Sequence, residues 1–283
     1  MNIRPVVKGL LTFVPGVRRI MPRGHTGGTS SATYCRDVWL KHFDALSAGG
    51  MRSMPLTLAE LGPGDSIGVG LAALLSGVNR YYALDVVRFS NADSNLRIFE
   101  ELAGLFRARE PSLSDKRISL IRSALLSPGS EHDGITIRYM VPWLDGGVIE
   151  PETVDAILSH AVLEHVVDLE RTYRALALWL KPGGMMSHQI DFTAHGVTEK
   201  WNGYRAYPEI LWKIAAGRRA YLINRQPCSV HVNLMEKYGF TIVSMQKVDR
   251  SDGIERSQLS SRWKSISDDD LACSDLFVQA RKG

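Results

Sequence analysis

The chain has 283 residues, 45% of them hydrophobic and 23% charged, and its 34 Lys and Arg against 30 Asp and Glu leave a net charge of +4. That composition is ordinary for a globular protein and suits one large α/β domain with an appendage. No stretch reaches the roughly 18 apolar residues of a membrane span, and the three scattered cysteines (Cys35, Cys228 and Cys273) argue against a disulfide framework or structural zinc and fit a reducing cytoplasm.

Residues 1–50 read as an N-terminal helical appendage or lid, and 51–283 as the main domain. The first 41 residues are basic: Arg4, Lys8, Arg18, Arg19, Arg23, Arg36 and Lys41 face only Asp37. Such an end suits an anionic neighbour, and residues 3–21 could lie on a membrane surface; a solvated terminus is the alternative. The run from Gly9 to Val17 is interrupted by Pro15 and lacks a signal-peptide cleavage pattern. After the Gly- and Thr-rich "GHTGGTSSATY", a helix is expected in "CRDVWLKHFDAL", with Val38, Leu40, Phe43 and Leu46 facing the main body.

The main domain then alternates. Strands are expected at 57–61, 80–85, 135–140, 154–159, 184–190, 240–248 and 275–281, and helices at about 66–76, 91–107, 168–180, 207–222 and 230–238. Strands separated by helices imply a doubly wound, mostly parallel seven-stranded sheet. The polar stretch 249–274 offers no strong crossover helix, so the last two strands read as an antiparallel pair closing one edge. In such a sheet ligands bind beyond the carboxyl ends of the strands, where strand order reverses.

The first strand runs into a glycine turn, "ELGPGDSIG", residues 60–68. A dinucleotide loop needs GxGxxG, but the position three after Gly64 is Ile67; a P-loop needs a lysine that is absent. Glu60 opens the turn, and Asp65 is placed to cap the following helix. Two carboxylates would repel a phosphate and favour a ligand bearing an ammonium and a sulfonium. Asp85, ending the second strand, can accept the hydroxyls of a ribose.

With "ELGPGD" at 60–65, Asp85, "VLEHV" at 162–166 and "LKPGG" at 180–184, the chain resembles a class I S-adenosylmethionine-dependent methyltransferase over roughly residues 55–281. The resemblance implies a Rossmann-like fold, S-adenosylmethionine as cofactor, and a methionine subsite lined by Glu60, Leu61, Gly62, Pro63, Gly64 and Asp65. Asp85 and Val86 would take the ribose. Many relatives place a carboxylate after the third strand against adenine; here the loop reads "RYMVPW", leaving Met140 for that contact. Ser159, after the fourth strand, completes the expected cofactor set. Gly183 is expected to cap a helix. "GGTSSATYC" and "SHQIDFTAH" are further similar to methyltransferases found with bacterial polysaccharide synthesis.

Methyl transfer to a hydroxyl calls for alignment and a general base. "MMSHQIDFTAH" puts His188 and Gln189 where a strand covered on both faces should be apolar, a conflict that often marks a functional site. His188 or His195 is a candidate base with Asp191 as its orienting partner; alternatively His188 bonds neighbouring backbone and Asp191 caps the next turn. His160 is a second candidate base, and His165 reads as a structural part of its helix. Two histidines and an aspartate within eight residues also fit non-haem iron. Iron-dependent oxygen chemistry conflicts with the upstream motifs, so no metal is assigned. No NPPY-like tetrad follows Ser159, which argues against nucleic-acid amine methylation.

"KWNGYRAYPEILW" mixes aromatics with amide and arginine groups, as a sugar site would. Trp201 and Asn202 are expected to touch the acceptor, Trp212 to sit in the core, and Arg225 to meet a phosphate or carboxylate or else to pair on the surface. The leading expectation is cytoplasmic O-methylation of a sugar or glycan-related acceptor. The alternatives are another small-molecule or lipid-linked acceptor and a cofactor-binding module without turnover.

Overall fold

The structure is a computed structural model that describes residues 3–14, 27–143, 145–219 and 222–283. Its strands are β1 (Thr57–Leu61), β2 (Arg80–Leu84), β3 (Glu131–His132), β4 (Ile135–Met140), β5 (Val154–His160), β6 (Leu180–Asp191), β7 (Phe240–Asp249) and β8 (Cys273–Lys282). They form one sheet in the order β3-β4-β2-β1-β5-β6-β8-β7. From β4 through β6 all neighbours are parallel, whereas β8 is antiparallel to both β6 and β7. All seven expected strands are present, and the eighth is the two-residue β3, antiparallel to β4. Strand order reverses between β1 and β5, which places the binding crevice at their carboxyl ends.

The helices are α1 (Arg4–Leu11), α2 (Ala32–Ala48), α3 (Gly68–Ser76), α4 (Ala92–Arg109), α5 (Asp115–Leu126), α6 (Leu169–Trp179), α7 (Glu209–Ala216), α8 (Cys228–Lys237) and α9 (Asp268–Ala272). On one face of the sheet, residues from α2, α3, α4 and α5 join Leu58, Tyr81, Ile137 and Leu158 in the larger core. On the other, α6 and α8 cover Ala59, Leu61, Ile157, Met186 and Ile190. The period of two therefore sends alternate residues of β1 and β5 into different cores. Cys35, Val38, Trp39 and Leu46 of α2 are buried in the larger core, so this helix is a layer of the main body. A satellite cluster of Ala194, Tyr204, Tyr207, Trp212, Ala215 and Ile223 carries α1, which crosses α7 so closely that a Cβ on Gly9 would lie 1.9 Å from the Ile214 carbonyl oxygen.

Three local expectations change. Asp65 does not cap α3, whose N-cap position is Ile67; the Ile67 N–H is taken by Asn95 Oδ1 at 3.1 Å and the Gly68 N–H by Ser66 Oγ at 3.1 Å. Gly183 is not a helix cap either. α6 ends at Trp179 with Leu180 as its cap, and Lys181–Gly184 bulge out of the ladder between the pairs Val154–Leu180 and Ala156–Met185, as suits a Pro182 with no N–H to donate. The helix expected over 207–222 stops at Ala216, because Gly217 turns left-handed at φ +57°.

Candidate active site

The crevice is floored by the glycine turn. Gly62 and Gly64 have φ of +64° and +76°, a region side chains rarely adopt. The Gly62 N–H donates to the Leu84 carbonyl at 2.8 Å, tying the turn to the end of β2. A Cβ on Gly62 would lie 2.5 Å from Val162 Cγ2, so the turn after β1 packs against the turn after β5 at the switch point. Leu61, Pro63 and Gly64 are buried, and Asp65 is half-buried. Glu60, 4% exposed, is held beneath the turn by the Tyr81 hydroxyl, and burial pushes its carboxyl up to about 7.

Asp85 stands at the end of β2, 7% exposed; its Oδ1 accepts from the Val86 N–H at 2.7 Å, and burial raises its pKa. Its own N–H donates to the Met140 carbonyl at 3.1 Å, which brings half-buried Met140 and exposed Val86 to the same rim. Thr29 and Ser66 clamp the N-terminal segment onto the glycine turn: Ser66 Oγ donates to the Thr29 carbonyl at 2.5 Å, and Thr29 Oγ1 accepts from the Ser66 N–H at 3.3 Å.

A buried polar chain reaches the crevice from α2. Gln279 Nε2 donates to Ser187 Oγ at 3.1 Å, Ser187 Oγ meets His42 Nδ1 at 2.7 Å, and His42 Nε2 meets His160 Nδ1 at 3.1 Å. His160 ends β5 with Tyr34 edge-on to its ring. Burial, then the Lys41 charge, pushes its imidazole down to about 4, and burial holds that of His42 well below the usual range.

Four more groups converge beyond β5 and β6. Glu164 and His165 lie on a 3-10 turn, Leu163–His165. Asp191 ends β6, and His195 follows at φ +46°. His195 Nε2 is 3.8 Å from both Glu164 Oε1 and Asp191 Oδ2, too long for hydrogen bonds. Burial pushes the Glu164 carboxyl well above the carboxylate range and the His165 imidazole down to about 4.

A family profile described as a methyltransferase domain matches residues 138–187, the stretch that carries Met140, β5, the Glu164 turn and the first half of β6. Over that stretch the chain is similar to methyltransferase domains. No curated protein matches the chain by sequence. Among solved structures, geranyl diphosphate C-methyltransferase from Streptomyces coelicolor A3(2) is similar at 14% identity and a TM-score of 0.50, over 89% of this chain and 77% of that one. An S-adenosylmethionine-dependent methyltransferase from Mesorhizobium loti (19% identity, TM-score 0.46) covers 85% of this chain and 97% of its own. Phosphoethanolamine N-methyltransferase 2 from Haemonchus contortus, solved with S-adenosyl-L-methionine (17% identity, TM-score 0.45), covers 86% and 52%.

Several expected site residues lie away from the crevice. His188 is 0% exposed; its Nδ1 meets Ser159 Oγ at 2.8 Å, and burial pushes the ring down to about 3. Both side chains are enclosed between β5, β6 and α6, on the covered face of the sheet. Trp201 and Asn202 are also buried. Asn202 accepts from the Ile254 N–H at 2.7 Å and donates to the Leu271 carbonyl at 3.3 Å, which ties down the long 249–274 crossover. Arg225 is buried against Trp212 and donates to the Tyr207 carbonyl at 3.0 Å and to Glu209 at 2.5 Å. Arg225 thus braces the satellite cluster, while Asn202 and Trp201 are enclosed against the 249–274 stretch.

Two groups were not singled out from the sequence. His42 lies on the Val38–His42–Leu46 stripe of α2, so its i, i+4 spacing marked it as inward-facing. Glu164 enters the sequence reading only within "VLEHV"; its turn is held by Asn224, whose Nδ2 donates to the carbonyls of Leu163 and Val166 at 2.8 Å each. A cavity of about 440 Å³ lies at the opposite edge of the sheet, around Met51–Leu56 and Lys181–Met185. It is remote from the crevice.

Proposed function

We propose that this methyltransferase methylates a hydroxyl of a small-molecule acceptor, sugar or glycan-related, with His160 as the general base. S-adenosylmethionine, when bound, supplies a sulfonium methyl open to in-line displacement. The residues present fit it. Left-handed glycines at 62 and 64 let the backbone come close, Asp85 offers its carboxylate to the ribose hydroxyls, and Met140 and Val86 line the far rim. The half-buried Asp65 and enclosed Glu60 keep the turn acidic, as a cationic ligand favours.

The observation that carries the base assignment is the Ser187–His42–His160 chain opening beside the cofactor turn. With Nδ1 taken by His42, His160 Nε2 is the nitrogen able to meet an acceptor. If His160 Nδ1 donates to His42 Nε2, His42 Nδ1 donates to Ser187 Oγ, and Nε2 carries a lone pair ready for the hydroxyl proton. The imidazolium then formed keeps its Nδ1–H on His42. A base so placed supplies about 10²–10⁴-fold. The glycan assignment rests on the likeness of "GGTSSATYC" and "SHQIDFTAH" to polysaccharide-associated methyltransferases. Thr29, Ser187 and Gln189 of those motifs anchor the N-terminal segment and α2, since Lys41 Nζ donates to Gln189 Oε1 at 2.6 Å.

A membrane-surface role for the N-terminus is favoured by α1. Ile3, Val7, Leu10 and Leu11 are exposed although its Gly9 face is docked on α7, and Arg4 and Lys8 flank them. Arg18, Arg19 and Arg23 lie outside the described residues. Among those described, no helix is long and apolar enough to cross a membrane, so the contact would be peripheral.

The test is incubation with labelled S-adenosylmethionine and fractionated cell extract. Label should enter a glycan or glycolipid fraction and fall at least about 100-fold with His160→Ala. Label in nucleic acid, or an undiminished rate in that variant, overturns the reading.

A further inference from the structure

We propose that Glu164, His165 and His195, with Asp191 beside them, bind a divalent transition-metal cation of the Mn²⁺ to Zn²⁺ series. The proposal goes beyond the histidine-base reading and does not depend on it.

Glu164 carries the argument. It is 1% exposed, and no side-chain donor hydrogen-bonds either carboxylate oxygen, the backbone N–H groups of Asp191 and of Glu164 itself being the donors beside it. A buried carboxyl with no cation beside it is costly to ionise, and buried charges are ordinarily paired or coordinated to metal. The groups that face Glu164 are the right kind. His165 Nε2 is 4.0 Å and His195 Nε2 3.8 Å from its Oε1, and one donor atom from each of the three lies within 4.8 Å of the others. Donors about 2.1 Å from a shared ion stand about 3.4 Å apart in a tetrahedron and at most about 4.2 Å apart when opposed. Tetrahedral spacing therefore asks the two Glu164 pairs to close by about half an ångström and the widest pair by up to about 1.4 Å.

The supporting backbone is fixed where it should be. Asn224 bonds the turn on three sides, its own N–H donating to the Glu164 carbonyl at 2.6 Å. Asp191 Oδ1 accepts from the Thr193 N–H at 2.7 Å, which leaves Oδ2 turned to His195 at 3.8 Å as a fourth donor. Two imidazoles with one or two carboxylates suit Mn²⁺, Fe²⁺, Co²⁺ or Zn²⁺; Mg²⁺ and Ca²⁺ take oxygen ligands.

The site borders the cofactor turn, because Val162, two residues before Glu164, is the side chain that meets Gly62. Three or four protein donors leave coordination positions open in a six-coordinate ion. Oxygens of an acceptor, such as adjacent hydroxyls or a carboxylate, would fill them and be anchored at the crevice.

The test is calorimetric titration of the full-length, chelator-treated protein with Mn²⁺ and with Zn²⁺, alongside the electron paramagnetic resonance of bound Mn²⁺. One ion should bind per chain. Glu164→Gln, which keeps the side chain's shape, and His195→Ala, on an exposed turn, should each weaken it by more than about 100-fold, beyond the 10- to 100-fold expected of an outer-sphere partner. Melting temperatures of both variants without metal should stay at or above the parent's, separating a lost ligand from a lost fold. Failure of both ions to bind, or binding that both substitutions leave within about threefold, overturns the proposal.

Discussion

His42 Nε2 lies 3.1 Å from His160 Nδ1, so a helix ahead of the first strand reaches across to hold the histidine that ends β5. With His160 as the proposed base, His42 would position it. His42→Ala should lower kcat about 10- to 100-fold, within the range ascribed to a general base, with little change in the KM for S-adenosylmethionine. A purely structural role would move stability and leave that kcat-against-KM split unchanged.

The Lys41 charge is the second cause, after burial, of the low His160 pKa of about 4. His160 should thus be a competent proton acceptor throughout neutral pH, with kcat/KM falling only as pH drops through about 4. Lys41→Met removes the opposing charge and should move that acid limb upward. An unmoved limb, measured with the same acceptor, would remove His160 from the role of base.

Stability should fall with acid. His188 and His231 are pushed down to about 3 by burial, and His42 lies well below its usual 6.5. Above pH 6.5 these rings are neutral in both folded and unfolded chains. Below it the unfolded chain takes up protons that the folded one refuses, so stability is lost between 6.5 and the folded pKa. Each ring contributes up to about 1.4 kcal/mol per pH unit. Urea midpoints at pH 7, 6 and 5 should decline steadily, and less steeply in His231→Gln.

The strand plan was legible because parallel strands covered on both faces read as apolar runs, and the antiparallel final pair followed from the weak crossover at 249–274. α5 was missed although Ile118, Ile121 and Leu125 repeat at helical spacing and Ser114 caps it by accepting from the Arg117 N–H. The site was legible only in part. The glycine turn and Asp85 are local patterns, whereas the polar residues of "SHQID" announced an anomaly without its meaning. Ser187 joins the α2 chain and His188 faces the opposite core, a division set by strand period and by what covers each face. Asn202 and Arg225 looked like ligand groups because no local pattern distinguishes a sugar contact from a buried staple.

Gly62 should tolerate no side chain. Gly62→Ala adds a left-handed strain of about 1–2 kcal/mol and a Cβ 2.5 Å from Val162 Cγ2. Val162→Ala in the same chain should recover part of the lost stability, a coupling that a double-mutant cycle reads directly.

α1 should bring the protein to anionic vesicles. Sedimentation with phosphatidylserine liposomes should drop when Val7 and Leu11 are both replaced by Glu, and should weaken with salt, since each basic residue near the surface adds about 1 kcal/mol. Binding indifferent to both changes would leave α1 as packing for α7 alone.

The most direct test is calorimetric titration with S-adenosylmethionine and its demethylated product, S-adenosylhomocysteine. Both should bind at one site per chain, and Asp85→Asn should weaken them at least about 10-fold, as loss of a charged hydrogen bond to the ribose implies. Uptake of NADH with no heat from either sulfur compound, or affinities that Asp85→Asn leaves unchanged, would contradict the account.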